Sequence, residues 1–187
     1  PIPSVVLLEA PSRSRAEFLL EKLLEVNGGV FFTTNRPKNV AEHDLLQNSP
    51  FDIEEDSLTV KHLTAEDSFD YEDLLEDEDL AIIDSIDLIE DSLDLSEYME
   101  LISKIASVAK ETDTLILLNS YLDNKPKNRK YTTGVSDIYM TLEVHIEGSD
   151  LTNYLRVFKY RGGTEIRSQR KVILDTDFTN DNSRNVA

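Results

Sequence analysis

The sequence predicts an α/β domain in three layers, with a mostly parallel central sheet between helices and antiparallel strands appended at the C-terminal end. Three observations lead there. Short β-branched and leucine-rich runs, of the kind that fill strands buried on both faces, alternate with stretches whose apolar residues recur at helical spacing. The last third changes to strict alternation around a turn. A chain of 187 residues with 40% hydrophobic content has enough material for one such core and not for a second. The domain is expected over residues 1–175, and the polar stretch 176–187 is expected to be a disordered tail.

Val5-Val6-Leu7-Leu8 reads as the first buried strand, broken by Pro11-Ser12-Arg13-Ser14. Phe18, Leu19, Leu20, Leu23 and Leu24 then follow a helical period up to the stop Asn27-Gly28-Gly29. Val30 to Thr34 supplies a second strand, ended by Asn35-Arg36-Pro37. A helix is expected from Val40 to Leu46, and a short strand at Leu58-Thr59-Val60. Ser68 to Asp79 is too acidic for a core and reads as an exposed helix and loop. Leu80 to Ser85 reads as a fully buried strand ending in an aspartate, Asp84.

Leu95, Tyr98, Met99, Ile102, Ile105, Ala106 and Ala109 keep the i, i+3, i+4, i+7 rhythm, predicting a helix over Ser96 to Lys110. Leu115 to Ser120 is the next buried strand. Asp123 to Lys130, polar and interrupted by Pro126, reads as a mobile or interaction loop. Ile138 to His145 and Tyr154 to Lys159 alternate about the turn Glu147-Gly148-Ser149-Asp150, predicting an antiparallel meander that Val172-Ile173-Leu174 closes.

Charge and composition remove several function classes. A formal net charge of −18 repels polyanions, so direct nucleic-acid binding is not expected. No run reaches the roughly 18 apolar residues of a membrane-spanning helix, and the first residues lack a secretory pattern, so a cytoplasmic protein is expected. With no cysteine, and His43, His62 and His145 scattered in unrelated contexts, no metal site is expected. Asp52 to Glu100 holds about 20 carboxylates and one lysine, whereas Lys125 to Lys171 has a modest basic excess. Such acidity is also what keeps a protein hydrated in concentrated salt, where screening removes the self-repulsion.

The turn after the first strand is the first candidate site. A phosphate-binding loop joins strand to helix with the pattern G-x-x-x-x-G-K-[ST]: its backbone N–H groups wrap phosphate, the lysine reaches the terminal groups and the hydroxyl holds magnesium. In that place this sequence has Ala10-Pro11-Ser12-Arg13-Ser14-Arg15-Ala16-Glu17. Ala10 and Arg15 stand for the glycines, Ala16 for the lysine and Glu17 for the hydroxyl residue. A carboxylate there repels phosphate, and a Cβ at the glycine positions obstructs the backbone's approach. Arg13 and Arg15 are either substitute anion ligands at the helix N-terminus or solvated counter-charges.

With these segments in this order the chain resembles a RecA-like P-loop ATPase domain, and especially the KaiC-like branch, over about Val5 to Leu174. Leu80 to Ser85 is similar to that family's second nucleotide motif. The stretch Gly134 to Leu142, followed by Leu155-Arg156-Val157-Phe158-Lys159-Tyr160-Arg161-Gly162, is similar to its ending. The resemblance implies that Asp84 would orient magnesium through water. It also implies that Lys159 and Arg161 match a pair reaching into a neighbouring subunit's nucleotide site.

From the residues themselves, Asp84 reads first as a strand-end cap, and Lys159 and Arg161 as an exposed strand end. The catalytic glutamates expected after the second strand are replaced by Thr33-Thr34-Asn35, so no base stands ready for water. The motif loss and the acidity together resemble small archaeal KaiC-like signal-transduction proteins, including a haloarchaeal "HTR-like" group. The expectation is therefore a non-catalytic pseudo-ATPase that needs no cofactor and acts through a protein partner or homo-oligomer. One charge-matched contact would set Lys159 and Arg161 against the acidic segment Glu76-Asp77-Glu78-Asp79. The alternative is an atypical nucleotide-binding protein or slow ATPase that takes ATP and magnesium weakly through Arg13, Arg15 and Asp84.

Overall fold

The computed structural model describes residues 5–12, 14–64, 78–123, 127–147, 150–161 and 169–172. Its framework is one eight-stranded sheet in the order β3-β2-β4-β5-β1-β6-β7-β8. The strands are β1 (Val5–Ala10), β2 (Gly29–Thr33), β3 (Leu58–His62), β4 (Leu80–Asp84), β5 (Leu115–Tyr121), β6 (Ile138–Glu147), β7 (Asp150–Tyr160) and β8 (Gln169–Val172). β3, β2, β4, β5, β1 and β6 pair in parallel, and β7 is antiparallel to both β6 and β8.

Strand alternation divides the apolar residues between two cores. One face carries Val6, Leu8, Phe31, Ile82 and Leu117, covered by α1 (Ala16–Asn27) and α2 (Lys38–His43), whose course continues as a π-turn over Asp44–Asn48. The other carries Val5, Leu7, Phe32, Ile83 and Leu118 beneath α3 (Ile86–Ser92) and α4 (Leu95–Glu111). A short α5 (Arg129–Val135) lies beside α4 and reaches β1. α4 opens with a reciprocal capping box between Asp94 and Glu97, and its buried row Tyr98, Leu101, Ile102, Ile105 and Val108 faces the sheet.

The buried strands and the long helix lie where the apolar patterns put them. Other expectations are corrected. The Asp123 to Lys130 stretch is not all loop, because Arg129 and Lys130 begin α5, and α3 occupies a region for which the pattern predicted no element. The antiparallel meander β6-β7-β8 is appended at the C-terminal end as expected, and it joins the sheet through β6, which runs parallel to β1. The acidic stretch expected as exposed helix and loop falls at 65–77 outside the described residues, apart from Glu78 and Asp79. Ile173, Leu174 and the tail 176–187 also fall outside.

α1 leaves β1 for one face of the sheet and α3 leaves β4 for the other, a change of side at the C-terminal strand ends, where open α/β sheets place their sites. The start of β2 is pinned tightly. Gly29 has φ +117, and a Cβ there would sit 2.3 Å from the Leu80 carbonyl oxygen of β4. Gly29→Ala is therefore expected to destabilise the fold by roughly 2–4 kcal/mol, read from the midpoint of denaturant unfolding; a change below about 0.5 kcal/mol would contradict the geometry.

Candidate functional site

The loop after β1 is closed by its own backbone and by one carboxylate. Ser14 donates its N–H to the Pro11 carbonyl at 2.9 Å, and Leu122 donates to the Ala10 carbonyl at 3.0 Å. Asp123 Oδ2 accepts from both the Ser12 N–H at 3.1 Å and the Ser12 hydroxyl at 2.7 Å. Ala10 and Ala16 are buried, Glu17 is exposed, and Arg13 lies outside the described residues. Arg15 adopts the left-handed conformation (φ 58, ψ 35) that a glycine would take without strain, and it starts α1 without a side-chain cap. Its guanidinium carbon lies 5.9 Å from the Phe18 ring centroid. The Ser14 hydroxyl is fully buried and has no hydrogen-bond partner.

At the end of β4 the Asp84 carboxylate is 5% exposed. Its Oδ1 accepts from Asn119 Nδ2 at 2.8 Å and from the Tyr121 hydroxyl at 3.2 Å, both carried by the neighbouring β5. Arg36, from the turn that ends β2, brings Nη2 to 4.0 Å of Oδ2, and its Nη1 pairs with Asp44 at 2.8 Å. Burial pushes the Asp84 carboxyl above its ordinary range, against the pull of Asn119 and Arg36. Burial and the Asp84 charge likewise push the Tyr121 phenol up. Ser85 is held through Thr34, whose hydroxyl donates to the Ser85 carbonyl at 2.8 Å and accepts from its N–H at 2.9 Å. Thr34 is thus a backbone tie, and Arg36 is the charged group nearby.

Behind these ends lies a set of residues that the sequence reading missed. Arg129 Nη1 pairs with Glu9 at 2.7 Å, Nη2 with Asp87 at 2.5 Å and Nε with Glu90 at 3.2 Å, and Nη1 also donates to the Ser120 hydroxyl. Tyr139 donates to Glu9 at 2.5 Å, and Ser120 and the Tyr121 N–H each donate to Asp87 at 2.7 Å. Tyr98 donates to Glu90 at 3.3 Å and shares a 2.6 Å hydrogen bond with Thr132. Burial pushes the Glu90 carboxyl up against the pull of Arg129. For Arg129 burial acts downward, but Glu90, Asp87 and Glu9 outweigh it and the guanidinium is held more firmly protonated. One signal existed: Glu9 interrupts an otherwise apolar buried strand, and a buried carboxylate demands a cationic partner.

Arg161 is engaged within its own chain. Its Nη1 lies 3.4 Å from Asp137 Oδ1, its Nη2 donates to the Gly134 carbonyl at 3.0 Å, and its N–H donates to the Asp137 carbonyl at 2.7 Å. Asp137 in turn accepts from the Val5 N–H at 3.2 Å, which ties this corner to the start of β1. Lys159 pairs with Tyr139 in the β6–β7 register. Among the described residues no group of three or more histidines and carboxylates is arranged to hold a metal ion. Nor is any helix there long and apolar enough to cross a membrane.

The structure brings the Ala10–Glu17 loop, Asp84-Ser85 and the Arg129 cluster to one edge of the sheet, and leaves Arg161 at the β7 end. A family model described as a family of unknown function, DUF7125, matches residues 1–187, and the chain belongs to that family. No curated protein sequence matches it. Among solved structures it is similar to the flagellar accessory protein FlaH from Methanocaldococcus jannaschii, with TM-score 0.73 and 13% identity, over 93% of this chain and 87% of that one. It is also similar to the KaiC-like protein PH0186 from Pyrococcus horikoshii OT3, with TM-score 0.73 and 14% identity, over 94% and 88% of the two chains. At these identities the likeness establishes the fold, which is RecA/KaiC-like.

Asp84 gives a pH test with a definite sign. Because its folded pKa lies above the ordinary 3.8, the stability of the parent protein relative to Asp84→Asn is greatest below that value. It is expected to fall as pH rises through the raised pKa, in urea titrations across the acid-to-neutral range. An advantage of the parent protein that grows with pH would contradict the desolvation of Asp84.

Proposed function

We propose that this DUF7125 chain is a non-catalytic RecA/KaiC-like module that regulates or scaffolds through contacts with a protein partner or with copies of itself. Archaeal signal transduction is the setting that its acidic composition and eroded motifs favour. The observation that carries this reading is that Asp84 at the strand edge is engaged within the chain. Asp84 spends one oxygen on Asn119 and Tyr121 and turns the other toward Arg36, a resident cation where a magnesium-bound water would need room.

The residues present do not fit a magnesium nucleotide. Ala16 offers no ammonium and Glu17 offers a repelling charge. Asp123 engages the Ser12 donors, and Thr34 is no general base. A protein partner would instead meet an exposed surface of dense negative charge, which favours basic or salt-tolerant contacts.

One observation favours the second reading, an atypical nucleotide binder. The Ser14 hydroxyl is buried without a partner at the uncapped start of α1, so the loop retains an unsatisfied polar group. Titration of the full chain with labelled ATP and magnesium separates the two. No saturable binding is expected up to about 1 mM, the top of the usual range for substrates. Saturable binding that Asp84→Ala weakens would instead establish the second reading. Sedimentation over a range of protein and salt concentrations tests self-association, and a monomer throughout would confine the proposal to a different partner.

A further inference from the structure

We propose that the cluster around Arg129 is a proton-dependent clasp closing α5 onto the sheet, with Glu90 as the group that gains and loses the proton. The geometry sets one guanidinium against three carboxylates, at 2.7 Å from Glu9, 2.5 Å from Asp87 and 3.2 Å from Glu90. All three carboxylates are buried, at 7%, 1% and 2% exposure. Fully ionised, the cluster holds an excess of negative charge away from water, where like charges cannot be screened and one site is driven to neutrality.

Hydrogen bonding singles out the member that takes the proton. Asp87 has donors on both oxygens, Ser120 and Arg129 on Oδ1 and the Tyr121 N–H on Oδ2. Glu9 has Arg129 on Oε1 and Tyr139 on Oε2. Glu90 receives Arg129 and Tyr98 on Oε2 and has the Asn128 N–H nearby, while no well-formed hydrogen bond reaches its buried Oε1. It is the carboxylate whose charge is least repaid.

The charged and titratable groups that face Glu90 come from each element around it: Arg129 from α5, Tyr98 from α4, Asp87 from its own helix and Glu9 from β1, with Tyr139 of β6 behind Glu9. Tyr98 and Tyr139 are both held above the ordinary phenol range by burial and the adjacent carboxylates, so they stay neutral while Glu90 titrates. The Glu90 carboxyl is raised from 4.5 by burial. The stabilisation is therefore full below that ordinary value and is lost as pH rises through the raised one.

The element that yields is α5. It is seven residues long, only Thr132 of it is fully buried, and Arg129, the Thr132–Tyr98 hydrogen bond and Arg161 on the Gly134 carbonyl hold it down. Because burial outweighs the pull of Arg129 on Glu90, opening α5 to water lets that carboxyl ionise in its ordinary range. Losing the proton therefore favours the open helix although a charged Glu90 attracts Arg129, and it does so before the sheet, whose strands rest on apolar cores on both faces.

Amide hydrogen exchange on the full chain tests this, expressed as protection factors at constant salt from about pH 5 to about pH 9, the upper reach of buried glutamates. Protection of the Tyr131–Ser136 amides is expected to fall severalfold as pH rises, while β2 and β4 keep theirs. Glu90→Gln is expected to keep α5 protection level throughout. Level protection in the parent protein, or the same fall in Glu90→Gln, would overturn the clasp. Should the variant fail to fold, the carboxyl carbon shift of Glu90 in the parent protein decides. A midpoint above the ordinary glutamate range upholds the proposal, and an ordinary midpoint overturns it.

Discussion

The demand that Arg129 and its three carboxylates make on one another organises the working edge of this domain. A buried charge is expensive unless it is paired and hydrogen-bonded, and these four side chains come from three separate elements: β1, α3 and α5. Ser120 and the Tyr121 N–H add β5, and Tyr139 adds β6. None of these elements can shift along the sheet without stranding a charge. Glu9 immediately precedes Ala10, so the grip on β1 also fixes where the loop after that strand begins. The second fixed point is Asp137, which joins Val5 at the other end of the same strand to Arg161.

Between these points the strand ends satisfy one another. Asn119, Tyr121 and Arg36 attend Asp84, Thr34 closes on Ser85, and Asp123 holds Ser12. In a nucleotide-handling site such groups are held in reserve for phosphate and metal, at a cost in stability. Here the internal partners meet much of that demand. In the proposed reading, the residues Ala10 to Glu17 in the loop and Arg36 beside Asp84 are two sides of one change, and the proposed scaffold role rests on it. The Ser14 hydroxyl, Arg36 Nε and Asn119 Oδ1 stay buried without a partner, and the alternative reading rests on the first of them.

Much of the fold was legible because its signals are apolar. Val5 to Leu8, Leu80 to Ile83 and Leu115 to Leu118 form runs that are buried on both faces, and α4 carries a row of large residues at helical spacing. The misses share one cause. α3 buries Asp87 and Glu90 beside Ile86 and Ile89, and α5 buries Thr132, so their inner faces have no clear apolar period. Arg129 follows Lys125-Pro126-Lys127-Asn128, where composition reads as loop. Arg36 sits in a turn that served only as a strand terminator. The loop and Asp84 were located by motif order, whereas their partners depend on long-range pairing that spacing does not reveal.

A double-mutant cycle between Arg129 and Asp87, using Arg129→Met, Asp87→Asn and the double variant with stability from urea unfolding, tests the account most directly. If internal charge pairing holds this edge together, the coupling is expected to be at least about 1.5 kcal/mol, as for close, poorly solvated charge pairs. A coupling near zero would contradict the account, since the cluster would then be an incidental contact and the edge would owe its order to apolar packing alone.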